Sequence, residues 1–222
     1  MQELIEQGLE HMKHRRYEEA AKSFNDAIEG DPSDPVGYTN FGNLLIAVKQ
    51  PERAIPFYEK AVELDDNHAS AAFGFGNALY ELGRYQDALG QFQRAVDLGL
   101  NDDDVFYMTG MSLTHLDKTT GALAAFQRAV ELNGEDIAAR FQYGLCLARI
   151  GQVDMAESQF QHVADKDPKH ADAFYNLGVA ALYRDHDDKA RAYFHKALSI
   201  QKDHLLAANG IQQIDQRENE QN

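Results

Sequence analysis

The stretch ASAAFGFGNALYELGRYQDALGQFQRAVDLGLND, residues 69–102, decides how the rest of the chain is read. Its apolar residues Phe75, Leu79 and Leu82 fall at i, i+4 and i+7, the spacing of one helix face. Gly83 follows, and glycine readily takes the left-handed conformation that ends a helix. Ala88, Phe92 and Ala95 then repeat the i, i+4, i+7 spacing, and Gly99 offers an exit from this second helix. The stretch therefore reads as helix, turn, helix.

Working outward, the same unit recurs on both sides. Glycines at 8, 42, 76, 110, 144 and 178 are separated by 34 residues each time. Ala20, Ala54, Ala88, Ala122, Ala156 and Ala190 keep that step. So do the rings of Phe24, Tyr58, Phe92, Phe126, Phe160 and Phe194. Small residues at Ala27, Ala61, Ala95, Ala129, Val163 and Ala197 follow three places later. Glycine and alanine let two helices approach closely, and the ring fills the space beside their contact. One helix pair cannot bury both of its faces, so neighbouring pairs must stack. Asp34, Asn67, Asp102 and Asp136 precede first helices and are expected to cap them. Pro56 falls within a second helix and removes one backbone donor there.

Gly at repeat position 8, Ala at 20, an aromatic at 24 and a small residue at 27 together resemble the tetratricopeptide repeat (TPR) signature. Runs such as Asp104-Val105-Phe106-Tyr107-Met108 and Ala171-Asp172-Ala173-Phe174-Tyr175-Asn176 make the whole chain similar to the YrrB-type TPR proteins of Bacillus relatives. The resemblance implies an all-α fold, a right-handed α-solenoid of six helix-turn-helix repeats over residues 1–204. Their expected bounds are 1–34, 35–68, 69–102, 103–136, 137–170 and 171–204, with a capping helix over 205–216 and a frayed tail at 217–222. The family's proline at position 32 survives only as Pro32 and Pro168, a departure that touches loop geometry.

Composition narrows the function. The net charge of -15 repels phosphate backbones and disfavours nucleic acid. No apolar run reaches the length of a membrane span, and the N-terminus lacks the basic start and apolar core of a signal peptide. The single cysteine, Cys146, excludes a disulfide framework and suits a reducing cytoplasm. With no Ser/Gly-rich linker, the chain reads as one continuous unit.

The resemblance also implies that the first helices line a concave groove, through repeat positions 2, 5, 6, 9, 12 and 13. Over six repeats this stripe holds 36 residues, of which six are charged and six aromatic, against 26% and 10% in the whole chain. A stripe poor in charge and rich in rings marks an interaction surface. Position 5 offers Phe73, Tyr107, Phe141 and Tyr175 in succession, and Tyr183 adds a ring at position 13. Asn40, Asn43, Asn77, Gln142 and Asn176 supply amides that can pair with an extended peptide backbone. Met108 and Met111 supply adaptable thioethers. These twelve residues are the expected partner-binding set, for a protein or peptide with an apolar or neutral-to-basic segment. The competing reading gives the rings to packing between repeats.

A chaperone-type carboxylate clamp would need cations that this stripe lacks. The aligned positions hold Thr39, Asn43, Gly74, Asp104 and Met108 instead. His68, His170 and His204 share position 34 and read as loop residues, so no metal or cofactor is expected. Asp65-Asp66, Asp102-Asp103-Asp104 and the run 185–188 lack calcium-loop spacing and read as caps or turns. Cys146 sits mid-helix with no basic neighbour to activate it, and no phosphate loop or nucleophile motif occurs. The expected function is therefore a cytoplasmic, non-enzymatic scaffold or adaptor. A self-assembling structural scaffold, a homo-oligomer built through repeat ends or convex faces, is the alternative.

Overall fold

A computed structural model describes residues 2–220. The described residues form thirteen α-helices. In chain order they are α1 (Gln2–Lys13), α2 (Tyr17–Gly30), α3 (Pro35–Ala47), α4 (Pro51–Leu64), α5 (Ala69–Glu81), α6 (Tyr85–Asp97), α7 (Asp103–His115), α8 (Thr119–Leu132), α9 (Ile137–Arg149), α10 (Val153–Lys166), α11 (Ala171–Tyr183), α12 (Asp187–Ile200) and α13 (Leu205–Glu220). The helices divide into two compact units, residues 1–118 and 119–222. The sequence, read as one continuous unit, carries no mark of this division. Repeats pack on their neighbours, so a chain of them can part at a turn without any change in composition.

Within each unit the repeat ring makes the core. Phe24, Tyr58 and Phe92 in the first unit, and Phe126, Phe160 and Phe194 in the second, are fully buried or nearly so. The glycine at position 8 is needed because the ring lies against it. A Cβ on Gly76 would stand 2.4 Å from Phe92 Cε1, and one on Gly178 would stand 2.5 Å from Phe194 Cε1. Gly74 makes room for Tyr58 of the preceding repeat in the same way, at 2.5 Å.

The turn between paired helices uses a left-handed residue at position 15 throughout the described repeats. Gly83 and Gly151 supply it without strain, but Arg15, Lys49, Asp117 and Asp185 hold φ near +55° to +60° in the other four. Three of the expected caps form: the side chains of Asp34, Asp102 and Asp136 accept from Val36, Val105 and Ala138 N–H. Asn67 does not cap. His68 precedes α5, and Asn67 N–H donates to Asp65 Oδ1 in the turn before it. Pro56 lies within α4, which continues unbroken to Leu64.

In the second unit α13 packs as one more first helix. Ala207 and Ile214 are buried with Phe194, and Gly210 admits that ring. The helix runs to Glu220, past the expected frayed boundary at 216. Arg191 of α12 pairs with Asp215 and, at 2.8 Å, with Glu218, while Arg217 approaches Asp185 and Asp187. Those pairs hold turns that have no apolar residue. Residues 221 and 222 of the expected tail lie outside the described residues.

Candidate functional site on the first-helix faces

In the first unit, α3 contributes repeat position 12, α5 positions 5, 9 and 13, and α7 positions 2, 5 and 6 to one side. There Phe73, Asn77, Tyr107 and Met108, four of the expected binding residues, line one hollow of about 380 Å³. Ile46, Glu81 and Asp104 complete its wall. Asn77 Oδ1 is buried without a hydrogen-bond partner. Met111 is half-buried on the same helix as Met108. The two remaining amides are engaged by the protein itself. Asn40 Nδ2 donates to Val36 O at 2.9 Å, and Asn43 Oδ1 accepts from Tyr58 Oη at 2.7 Å.

The position-5 rings face two ways. Phe73 packs on Phe92 with centroids 5.8 Å apart. In the second unit Phe141 packs on Phe160 at 5.6 Å and Tyr175 on Phe194 at 5.9 Å. Each ring thus rests one edge on its own repeat's core while staying partly open to solvent. Burial raises the Tyr175 phenol pKa above its usual range, and the nearby Asp172 carboxylate adds to the rise. Asn176 Nδ2 donates to Asp172 O at 2.8 Å, and Gln142 is half-buried. Tyr183, by contrast, is 73% exposed.

Asn176 and Tyr183 border a second, apolar hollow of about 180 Å³, floored by Phe160 with Ala148, Val153 and Val179 around it. The first unit shows why it is empty of protein. There the corresponding repeat positions hold Tyr80, Tyr85 and His115. His115 stacks on Tyr85 at 4.2 Å, and Tyr80 Oη lies 3.1 Å from His115 Nε2. Ala148, Val153 and Tyr183 occupy those places in the second unit, so two rings are missing. Ala148→Tyr should fill the hollow and raise stability by about 0.5–2 kcal/mol. Urea melts of the variant read this directly; a lowered midpoint would mean that the space cannot take a ring.

Two side chains read from sequence as loop residues have structural work at these faces. His170 Nδ1 accepts from Ala173 N–H, and its ring lies 4.6 Å from Phe141. His204 Nδ1 accepts from Ala207 N–H, its Nε2 lies 3.1 Å from Asp172 Oδ1, and its ring lies 5.2 Å from Tyr175. Both histidines cap a helix and brace a position-5 ring. Cys146 is buried, and that burial holds its thiol above the ordinary pKa.

Models of the tetratricopeptide repeat match residues 36–100, 107–162 and 171–204. The solved structure of YrrB, described as a TPR protein with an unusual peptide-binding site, is 46% identical, with a TM-score of 0.78. The match covers 85% of this chain and 97% of YrrB. This chain belongs to the tetratricopeptide repeat family.

Other solved structures agree on the fold. The TPR chain resembles MamA at 25% identity and a TM-score of 0.68, over 72% of its own length and 94% of MamA. PilF of Pseudomonas aeruginosa matches at 20% identity with a TM-score of 0.83, over 94% and 95% of the two chains, a likeness of fold alone. A search of curated proteins gave no match. As a TPR protein with an all-helical solenoid fold, the chain is a protein–protein interaction scaffold. No described helix is long and apolar enough to cross a membrane.

Proposed function

We propose that this TPR chain is a cytoplasmic, non-enzymatic adaptor that captures an extended or helical segment of a partner protein along its first-helix faces. The observation that carries the reading is the hollow lined by Phe73, Asn77, Tyr107 and Met108. All four belong to the twelve-residue binding set expected from the sequence pattern, and they line one open cavity. Two rings and the Met108 thioether there supply apolar contact that adapts to the incoming side chain. The acidity of the chain, -15 in formal charge, favours an apolar segment with neutral or basic flanks. YrrB's peptide-binding site is the parallel among relatives, at 46% identity.

The amides play a smaller part than the sequence suggests. Asn40, Asn43 and Asn176 each have one polar atom committed inside the protein, so Asn77 and Gln142 are the better candidates for holding a peptide backbone. Affinity capture with the whole chain beside Tyr107→Ala/Tyr183→Ala tests the reading. Proteins held by the wild type should drop about tenfold or more, the loss of two aromatic anchors, at an unchanged melting temperature. Equal recovery by the folded variant would refute the groove.

A further inference from the structure

We infer that the hollow of the second unit takes one phenyl ring, a phenylalanine side chain of the bound segment, an inference that rests on the adaptor reading above. The hollow lies among α9, α10 and α11, and the walls open to solvent are Ala148, Gly151, Val153, Val179 and Tyr183. No charged side chain lines it. Its one amide, Asn176, already donates from Nδ2 to Asp172 O. Such a lining is complementary to an uncharged, apolar group. The size selects a single ring: the hollow holds about 180 Å³, and an apolar protein cavity of about 150 Å³ binds benzene.

The chain's own side chains show what such a place accepts. Between the third and fourth repeats, within the first unit, the same three repeat positions carry Tyr80, Tyr85 and His115. These rings pack on one another. His115 lies flat on Tyr85, with 4.2 Å between centroids and 2° between planes, and Tyr80 meets both edge-on at 5.4 and 5.6 Å. In the second unit Tyr183 keeps a ring at the place of His115, but Ala148 and Val153 stand where its two companions would be. Tyr183 is left 73% exposed, and Val179 beside the same hollow 40%. A phenyl ring supplied from outside restores the contact that Tyr85 makes in the first unit, and it covers both exposed side chains as it does so.

Other side chains fit less well. Lysine, arginine or a carboxylate would give up water to a lining that offers no opposite charge. Leucine could fill the volume, but it has no flat face to lay on Tyr183.

The test uses the full chain labelled with ¹⁵N, titrated with N-acetyl-phenylalanine amide and, in parallel, with N-acetyl-leucine amide. Saturable shifts from the phenylalanine compound should centre on the backbone amides of Gly151, Val179, Ala180 and Tyr183. The leucine compound should bind roughly threefold more weakly or worse, for want of the ring contact. Ala148→Tyr, which places a ring of the chain itself in the hollow, should abolish the saturable shifts. Val153→Tyr supplies the other missing ring and serves as a second block if urea melts show the first variant unfolded. An absence of saturable shifts, shifts confined to residues outside the hollow, a leucine affinity equal to that of phenylalanine, or undiminished phenylalanine binding in a folded, filled variant would each overturn the inference. Failure here alongside loss of partners by Tyr107→Ala/Tyr183→Ala would remove the ring assignment and leave the adaptor reading standing. Phenylalanine binding in a chain whose double variant keeps all its partners would instead remove the adaptor reading, and with it the bound segment as the source of the ring.

Discussion

Phe92→Ala should lower the stability of the chain by about 3–5 kcal/mol, the usual cost of deleting a fully buried aromatic ring. The neighbours explain why the site cannot heal. Phe92 is fully buried with Ala72, Ala88, Ala95, Leu79 and Val105, and Gly76 lies against its edge. Three alanines and a glycine have no side-chain length with which to fill the void. The damage should reach the candidate binding face too, because Phe73 rests on Phe92 at 5.8 Å. In a chain of stacked repeats each pair depends on its neighbours, so the loss should spread from α5 and α6 into α4 and α7. Urea denaturation gives the size of the loss, and hydrogen exchange gives its location. A loss below about 1 kcal/mol would mean that the surrounding helices collapse into the gap, against the reading of the ring as the repeat's keystone.

The same residues show what was legible in the sequence. Glycine, alanine and ring recur at a fixed interval because each contact is internal to one helix pair, so a one-dimensional pattern records it. The position-15 turn left no such mark. It needs a left-handed backbone, but the chain meets that need with glycine at 83 and 151 and with Arg15, Lys49, Asp117 and Asp185 elsewhere. Geometry repeats there while composition does not. His170 and His204 escaped for a different reason: a side chain that caps a helix and braces a ring looks, in sequence, like any loop residue before a helix.

Of the candidate site, the sequence chose the helix face and several of the lining residues but not the hollows. Each hollow depends on side-chain sizes contributed by different repeats. Ala148, Val153 and Tyr183 leave open what Tyr80, Tyr85 and His115 close, and no local pattern links residues so far apart. The sequence pattern of the position-5 rings fits either a groove lining or packing between repeats. Phe73, Phe141 and Tyr175 each have a packed edge and partial exposure, so substituting them tests both properties at once. For that reason the exposed Tyr183 is the better probe of binding in the second unit.

Gly76→Ala is the second large effect, and its sign runs against helix propensity. In a helix interior alanine is favoured over glycine by about 1 kcal/mol, and Gly90 should behave that way, since a Cβ there meets nothing within 4 Å. At Gly76 the added methyl would lie 2.4 Å from Phe92 Cε1 and 2.6 Å from Cδ1. Phe92 cannot swing clear, being fully buried and backed by Phe73. Helices α5 and α6 must then part, at a cost of about 1–3 kcal/mol or more, as overpacked cores show. Two further variants separate this clash from any other effect of the substitution. Gly90→Ala, in the same repeat, should stabilise. Phe92→Leu, destabilising alone, should cost less in the Gly76→Ala background than in the wild type, because the smaller side chain gives the methyl room. A coupling of about 1 kcal/mol or more in that double-mutant cycle is expected for residues in direct contact. Strictly additive losses would show that glycine at position 8 serves something other than the approach of the ring.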